Sequence, residues 1–226
     1  MNFLLFAPEF IVLSTGFAVL GLDLVMNKEK SNYLPALCVA GLIGSLFVTV
    51  FYLGGENTDL YGGIFLIDNL SLLFRIIFLV IGIFIVLISV EYVKMHLTRS
   101  GEFYGILMFS VLAMMLMAAS GELLTAYISL ELLSFSLYVL VAYGREGLKP
   151  SEASIKYILL GAFASALLLY GISQIYGLLG TTKFAEMHRV MSDSGDPVGL
   201  GLVVALVLLI TGLGFKVAAV PFHMWA

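Results

Sequence analysis

The sequence predicts an all-α fold, a polytopic transmembrane helix bundle of about seven spans with the seventh broken near Lys216–Pro221. Three observations lead there. Of 226 residues, 61% are hydrophobic and only 12% charged, and mean hydropathy is +1.09. A soluble domain carries about 25% charged residues, so charge here is too sparse to cover a water-facing surface. Apolar blocks of the ~20 residues needed to cross ~30 Å of hydrocarbon also recur along the whole chain. No strand-type alternation competes with them, and in lipid a helix satisfies its own backbone polar groups.

In chain order the spans are Leu5–Met26, Leu34–Leu53, Asn69–Val90, Phe103–Ala119, Leu123–Tyr143, Glu152–Leu179 and Val198 to the chain end. The first could be confused with a signal peptide. However, Met1 to Val25 has no Lys or Arg ahead of its apolar run, and Asp23 stands where a small-residue cleavage site would fall. It reads as a retained span. Small residues four apart, Gly41/Ser45 and Gly161/Ser165, suit close approach of helix backbones.

Loop charges set an expected orientation. Lys28 and Lys30 follow span one, Lys94 and Arg99 span three, Arg145 and Lys149 span five. The loops after spans two and four hold only acids: Glu56, Asp59, Asp68 and Glu122. Basic loops face the cytoplasm or its organellar equivalent, which puts the N-terminus outside. Lys183 and Arg189 blur the pattern after span six, where Thr182–Met191 spaces Phe184, Met187 and Met191 as an interfacial helix.

Several functions are excluded. A net charge of -4 leaves no basic footprint for nucleic acid. Cys38 is the only cysteine, so no internal disulfide and no cysteine-ligated iron–sulfur cluster can form. The histidines are His96, His188 and His223, the first two in loops, so no span offers two imidazoles to a haem. There is no nucleotide-binding glycine loop. Any uphill ion movement must draw on a partner or another gradient.

The informative residues are charges inside apolar spans, where each costs ~2.5–3.5 kcal/mol on insertion scales. Glu131 lies near the middle of span five, about 18 Å from its cytoplasmic end, too deep for its short stem to snorkel. Ser134 and Tyr138 fall on its face at i+3 and i+7. Lys156 stands about one turn into span six, and depth alone leaves open whether it snorkels to the headgroups. Linear counting puts Lys216 near the far interface, but Gly212, Gly214 and Pro221 around it weaken the helix. That leaves open a kinked structural helix with a terminal lysine or a broken span facing a water-lined cavity. His223 follows that break as a further candidate. Glu9, Asp23, Asp68 and Glu122 lie near span ends within reach of water, and Arg75 is expected to snorkel outward.

The runs Tyr127–Tyr143 (YISLELLSFSLYVLVAY), Ser151–Tyr170 (SEASIKYILLGAFASALLLY) and Gly214–Trp225 (GFKVAAVPFHMW) resemble the subunit N family of NADH-quinone oxidoreductase, respiratory complex I. Asp68–Tyr92 is similar to that family's third span. Subunits L and M and Mrp-type cation/proton antiporters share the scaffold. The resemblance implies that residues 1–102 form spans one to three and that 103–226 begin an antiporter-like inverted repeat, without the second repeat of longer members. By the same resemblance the chain reads as a fragment or a split subunit. The resemblance further implies a proton relay of Glu131, Lys156 and Lys216, with Ser134 and His223 as secondary members. No cofactor is expected in this chain; NADH, FMN, iron–sulfur clusters and quinone would belong to partner subunits. Those partners would be neighbouring membrane subunits and, through them, a peripheral redox arm, in a bacterial plasma membrane or an organellar inner or thylakoid membrane. Glu131 is expected to pair with Lys156, which would pass its proton through water to Lys216. Two charges ~4 Å apart interact by about 4 kcal/mol at an effective dielectric near 20, enough to switch where a proton resides. An Mrp-type antiporter subunit and a purely structural membrane subunit are the alternatives.

Overall fold

The computed structural model describes residues 3–25, 33–51, 57–97, 99–143, 148–193 and 199–223, with backbone alone at 148–151 and 153. Lys28, Lys30, Glu56 and Arg145, which weigh in the charge pattern, lie outside the described residues, as does Trp225. After a 3-10 turn at Phe3–Phe6 the helices are α1 (Ala7–Val25), α2 (Leu34–Phe51), α3 (Asn69–His96), α4 (Ser100–Ala118), α5 (Leu123–Ala142), α6 (Leu148–Leu179), α7 (Phe184–Asp193) and α8 (Leu200–Lys216). Between α2 and α3 lies a hairpin of β1 (Thr58–Leu60) and β2 (Phe65–Ile67). Six helices, α1 to α6, are long and apolar enough to cross a membrane, and α8 is a shorter apolar helix of 17 residues. This is the predicted bundle of about seven spans.

The main core lies in α1–α4, where Val12, Val19, Leu42, Leu79, Val86, Met108 and Met115 are buried against one another. Phe17, Phe47, Phe84 and Ile88 face outward from the same helices. In water such a surface would be a liability; against acyl chains it is expected. Further along, α6 lies between α5 and α8 and packs on both.

One end of the bundle is tied together by backbone hydrogen bonds. Leu66 N–H donates to Ala119 O (2.7 Å), Gly121 N–H to Ile64 O (2.7 Å), Leu123 N–H to Thr182 O (2.9 Å) and Phe184 N–H to Gly121 O (3.2 Å). The connections after α2, α4 and α6 therefore meet at one end, as an even-numbered set of loops must. No alternation along residues 58–67 announces the hairpin. Its turn places Tyr61, Gly62 and Gly63 in succession at φ of 55°, 70° and 87°, which two consecutive glycines make accessible. Phe6 packs on it, edge-on to Phe65 with ring centroids 5.0 Å apart. Glu122 adds a side-chain tie, accepting from Thr125 Oγ1 (2.7 Å) and Thr182 Oγ1 (2.7 Å). At the opposite end Asp23 accepts from Gly101 N–H (3.1 Å), and the Tyr143 hydroxyl donates to Glu102 (2.8 Å).

Local signals set the helix boundaries. Asp68 caps α3: its carboxylate accepts from Ser71 N–H (2.8 Å), while Ser71 Oγ accepts from Asp68 N–H (2.9 Å). Such a capping box stabilises a helix by roughly 1 kcal/mol. Outside the spans, α7 forms the helix that its spacing predicts and presents Phe184 and Met191 as exposed apolar residues. Glu186 accepts from Thr181 Oγ1 (2.6 Å) and Lys183 Nζ (3.1 Å) at the start of α7.

Two charges expected at the surface are buried. Arg75 and Glu9 form an ion pair of 2.9 Å, with side chains 0% and 5% exposed. Arg75 does not snorkel, and Glu9 is closed off from water. The reason is packing: Ser45 of α2 donates to Pro8 O (3.0 Å) and holds α1 and α2 together beside the pair. Removing one partner of a buried pair leaves an uncompensated charge, at a cost of about 3–5 kcal/mol. Arg75→Met should therefore lower the thermal unfolding midpoint in detergent clearly, and Glu9→Gln combined with Arg75→Met should recover most of the loss.

The Thr181 and Lys183 contacts hold the Glu186 carboxyl below its ordinary 4.5. A depressed carboxylate contributes stability that is present above the ordinary value and lost as pH falls through the lowered one. A spin label at His188 should thus be restrained at neutral pH and become more mobile only in acid, as pH falls through the lowered value. Glu186→Gln should show the greater mobility throughout.

Candidate functional site

Glu131 occupies the third turn of α5, and its side chain turns toward α6. Ser165 Oγ donates to its Oε1 at 2.6 Å, and Lys216 Nζ stands 3.3 Å from the same oxygen. The lysine also donates to Ser134 Oγ at 2.7 Å and to Ser165 Oγ at 3.1 Å. An ammonium has three N–H donors, so α5 and α6 together supply one acceptor for each. The Tyr138 ring lies below, its centroid 5.8 Å from Nζ. Side-chain exposure is 12% for Lys216 and 13% for Glu131, so the pair is largely removed from solvent.

Two features bring Lys216 to this position. First, α8 lies against α6 at backbone distance. A Cβ on Gly212 would sit 2.7 Å from Leu168 Cβ and 2.9 Å from Ala164 O, and one on Gly171 would meet Leu209 N at 2.9 Å. Second, α8 ends at Lys216. Ala219 N–H donates to Gly214 O (2.8 Å) and Ala218 N–H to Phe215 O (3.1 Å), with Ala218 left-handed at φ 51°. This is a Schellman ending, with the lysine in the last helical position. The break falls where the sequence predicted it, for a different reason. Gly212 and Gly214 do not interrupt the helix; Gly212 permits close packing, and the turn after Lys216 stops it. The carbonyl end of α8 also favours a cation there by roughly 0.3–1 kcal/mol.

The expected pairing of Glu131 with Lys156 is overturned. Glu131 lies level with Ser165, nine residues beyond Lys156, or ~13 Å along α6 at ~1.5 Å per residue. A lysine stem does not span that gap. Lys156 instead pairs with Glu152 at 2.6 Å, both side chains 66% exposed. Lys216, the intended second stop of the relay, is the partner in contact. Ser134 is buried and in contact with it. His223 lies exposed beyond α8, and no described hydrogen bond or ion pair joins it to the cluster.

Sequence reasoning missed Ser165, which it treated only as a packing residue beside Gly161. Gly161 itself makes a close approach: a Cβ there would strike the Tyr138 hydroxyl. The signal for Ser165 was a hydroxyl in mid-span, but its level relative to Glu131 depends on how α5 and α6 are aligned, which spacing within one helix does not encode.

The family described as NADH:quinone oxidoreductase/Mrp antiporter, TM, matches residues 120–226. The whole chain is 38% identical over 225 residues to a Trichlorobacter lovleyi protein named NADH-quinone oxidoreductase subunit N, covering 100% of this chain and 46% of that one. The second half of the chain is thus similar to the membrane subunits that this family describes. It spans about half the length of the curated relatives it matches. Among solved structures, it is similar to a chain of respiratory complex I from Thermus thermophilus with a TM-score of 0.74 and 30% identity, over 96% of this chain and 45% of that one. A chain of the Mrp complex from Dietzia sp. shares the fold, with a TM-score of 0.78 and 21% identity over 100% of this chain and 43% of that one. Glu131, Ser134, Lys156, Ser165 and Lys216 all fall within the family-matched region.

Because the site depends on the α6–α8 approach, Gly212→Ala should displace one helix and cost roughly 1–3 kcal/mol, as overpacking does. At Gly177, also in α6, an added Cβ meets nothing within 4 Å, and Gly177→Ala should be neutral or slightly stabilising. Thermal unfolding of the two variants in detergent checks the contrast.

Proposed function

We propose that this chain is a proton-translocating membrane subunit of a respiratory NADH-quinone oxidoreductase, with Glu131 and Lys216 as its exchanging pair. The observation that carries the reading is the 3.3 Å Glu131–Lys216 contact, placed in mid-span and lined with hydroxyls. A carboxylate and an ammonium in contact favour each other's charged forms, and separating them reverses both preferences. A partner that changes the separation changes where a proton resides. Quinone reduction in other subunits would supply the energy, since the sequence offers this chain no redox ligands of its own. Lys156, ~13 Å nearer the cytoplasmic face, would deliver or accept protons through water, in line with the antiporter-like repeat proposed for residues 103–226. The odd-numbered loops would face the cytoplasm, with neighbouring antiporter-like subunits as lateral partners.

The decisive experiment uses Glu131→Gln in the assembled complex, reconstituted in vesicles. Proton uptake per electron transferred should fall markedly while the redox reaction continues. Normal pumping per electron would eliminate the pair as carriers, and loss of assembly with normal coupling in the remaining complex would favour a structural role.

The family's Mrp members and the shared fold support one second reading, a cation/proton antiporter subunit. Proton movement that requires Na⁺ or K⁺ in the same vesicles would select it.

A further inference from the structure

The three hydrogen bonds of Lys216 are not equivalent as routes for a proton. Ser134 Oγ accepts from Lys216 at 2.7 Å, but its own hydroxyl is donated to Leu130 O at 2.8 Å. A backbone carbonyl passes no proton onward, so that branch is a dead end and Ser134 only positions the lysine. The direct branch, Lys216 Nζ to Glu131 Oε1, is the longest at 3.3 Å. The third runs through Ser165, with 3.1 Å from Nζ to Oγ and 2.6 Å from Oγ to Oε1. Its direction is fixed by chemistry: an ammonium only donates and an ionised carboxylate only accepts, so the hydroxyl must accept from one and donate to the other.

We propose that Ser165 is the hydroxyl through which Lys216 and Glu131 exchange a proton. The inference rests on the proton-carrying role proposed above for that pair. In the step an Nζ–H bond of Lys216 breaks as its proton joins Ser165 Oγ, while the original Ser165 proton leaves Oγ for Glu131 Oε1. The products are a neutral amine, an unchanged serine and a neutral carboxylic acid. Net charge is zero before and after, so the transfer separates no new charge in a low-dielectric site. The reverse step restores the ion pair. Because the serine ends as it began, the route is reusable in either direction.

The test compares Ser165→Thr with Ser165→Val in the assembled complex, reconstituted in vesicles, with rates taken per assembled complex. The two side chains share a shape and differ in the hydroxyl, so packing effects cancel between them even if both assemble poorly. Proton uptake should be faster in the threonine variant by roughly a hundredfold, the lower end of what a positioned proton-transfer group contributes. The infrared band of protonated Glu131 should lie in the same place in wild type and Ser165→Thr, and shift upward in Ser165→Val as the hydrogen bond to Oε1 is lost. Ser134→Ala should slow uptake less than Ser165→Val does. Equal rates for the threonine and valine variants, or a Ser134→Ala loss as large as that of Ser165→Val, would overturn the assignment. Glu131→Gln, run in parallel, separates the two levels: normal pumping there removes the pair's role, whereas impaired pumping with equal threonine and valine rates removes only the role of Ser165.

Discussion

Neither Glu131 nor Lys216 can be left charged and alone in a membrane interior, and this constraint governs the second half of the chain. A lone charge at the bilayer centre costs several kcal/mol, so each side chain needs the other, and both need hydrogen-bond partners. Meeting that need fixes the backbone. The α8 helix must stop at Lys216, which the left-handed residue Ala218 accomplishes at a cost of ~1–2 kcal/mol for a residue with a Cβ. It must also press against α6 without side chains between, which Gly171, Ala205 and Gly212 permit. The serines Ser134 and Ser165 then stand in for water around the ammonium. Helix ends, close approaches and hydroxyls that look unrelated in sequence all answer to one buried pair.

The span pattern was legible because it depends on composition, and lipid forces composition on a helix directly. The α7 helix was legible for a similar reason, since Phe184, Met187 and Met191 repeat at helical spacing. What sequence could not convey was the alignment between helices. Glu131 and Lys156 are both charges on consecutive apolar spans, and nothing in either segment records that their levels differ by ~13 Å. Arg75 and Glu9 failed for the same reason. Glu9 lies near a span end within reach of water, and Arg75 about two turns into its span, from which a long stem can snorkel. Only the packing of α1 and α2 beside α3 shuts the water out. The hairpin at residues 58–67 is too short to produce an alternation signal.

The two buried ion pairs invite a comparison that separates structure from chemistry. Glu9–Arg75 is closed, at 0% and 5% exposure, and joins a carboxylate to a guanidinium that does not give up its proton. Such a pair can hold helices together but cannot carry a proton. Glu131–Lys216 uses an amine that titrates when buried, retains some exposure at 12% and 13%, and has a hydroxyl bridging its two ends. The choice of lysine over arginine is what makes the second pair able to exchange.

The same contrast bears on how the second pair can be regulated. In the Glu9–Arg75 pair, separating the charges strands both, since the guanidinium has no neutral form to fall back on. At Glu131–Lys216 a proton transfer converts both partners to neutral groups at once, so the helices that carry them can move apart without leaving a charge in hydrocarbon. Under the proposed transfer, movement of α8 relative to α5 would therefore come only after it, or together with it. Under that proposal, coupling between helix position and protonation would need no additional device: it would follow from placing a titratable cation, at the end of one helix, against a carboxylate on another.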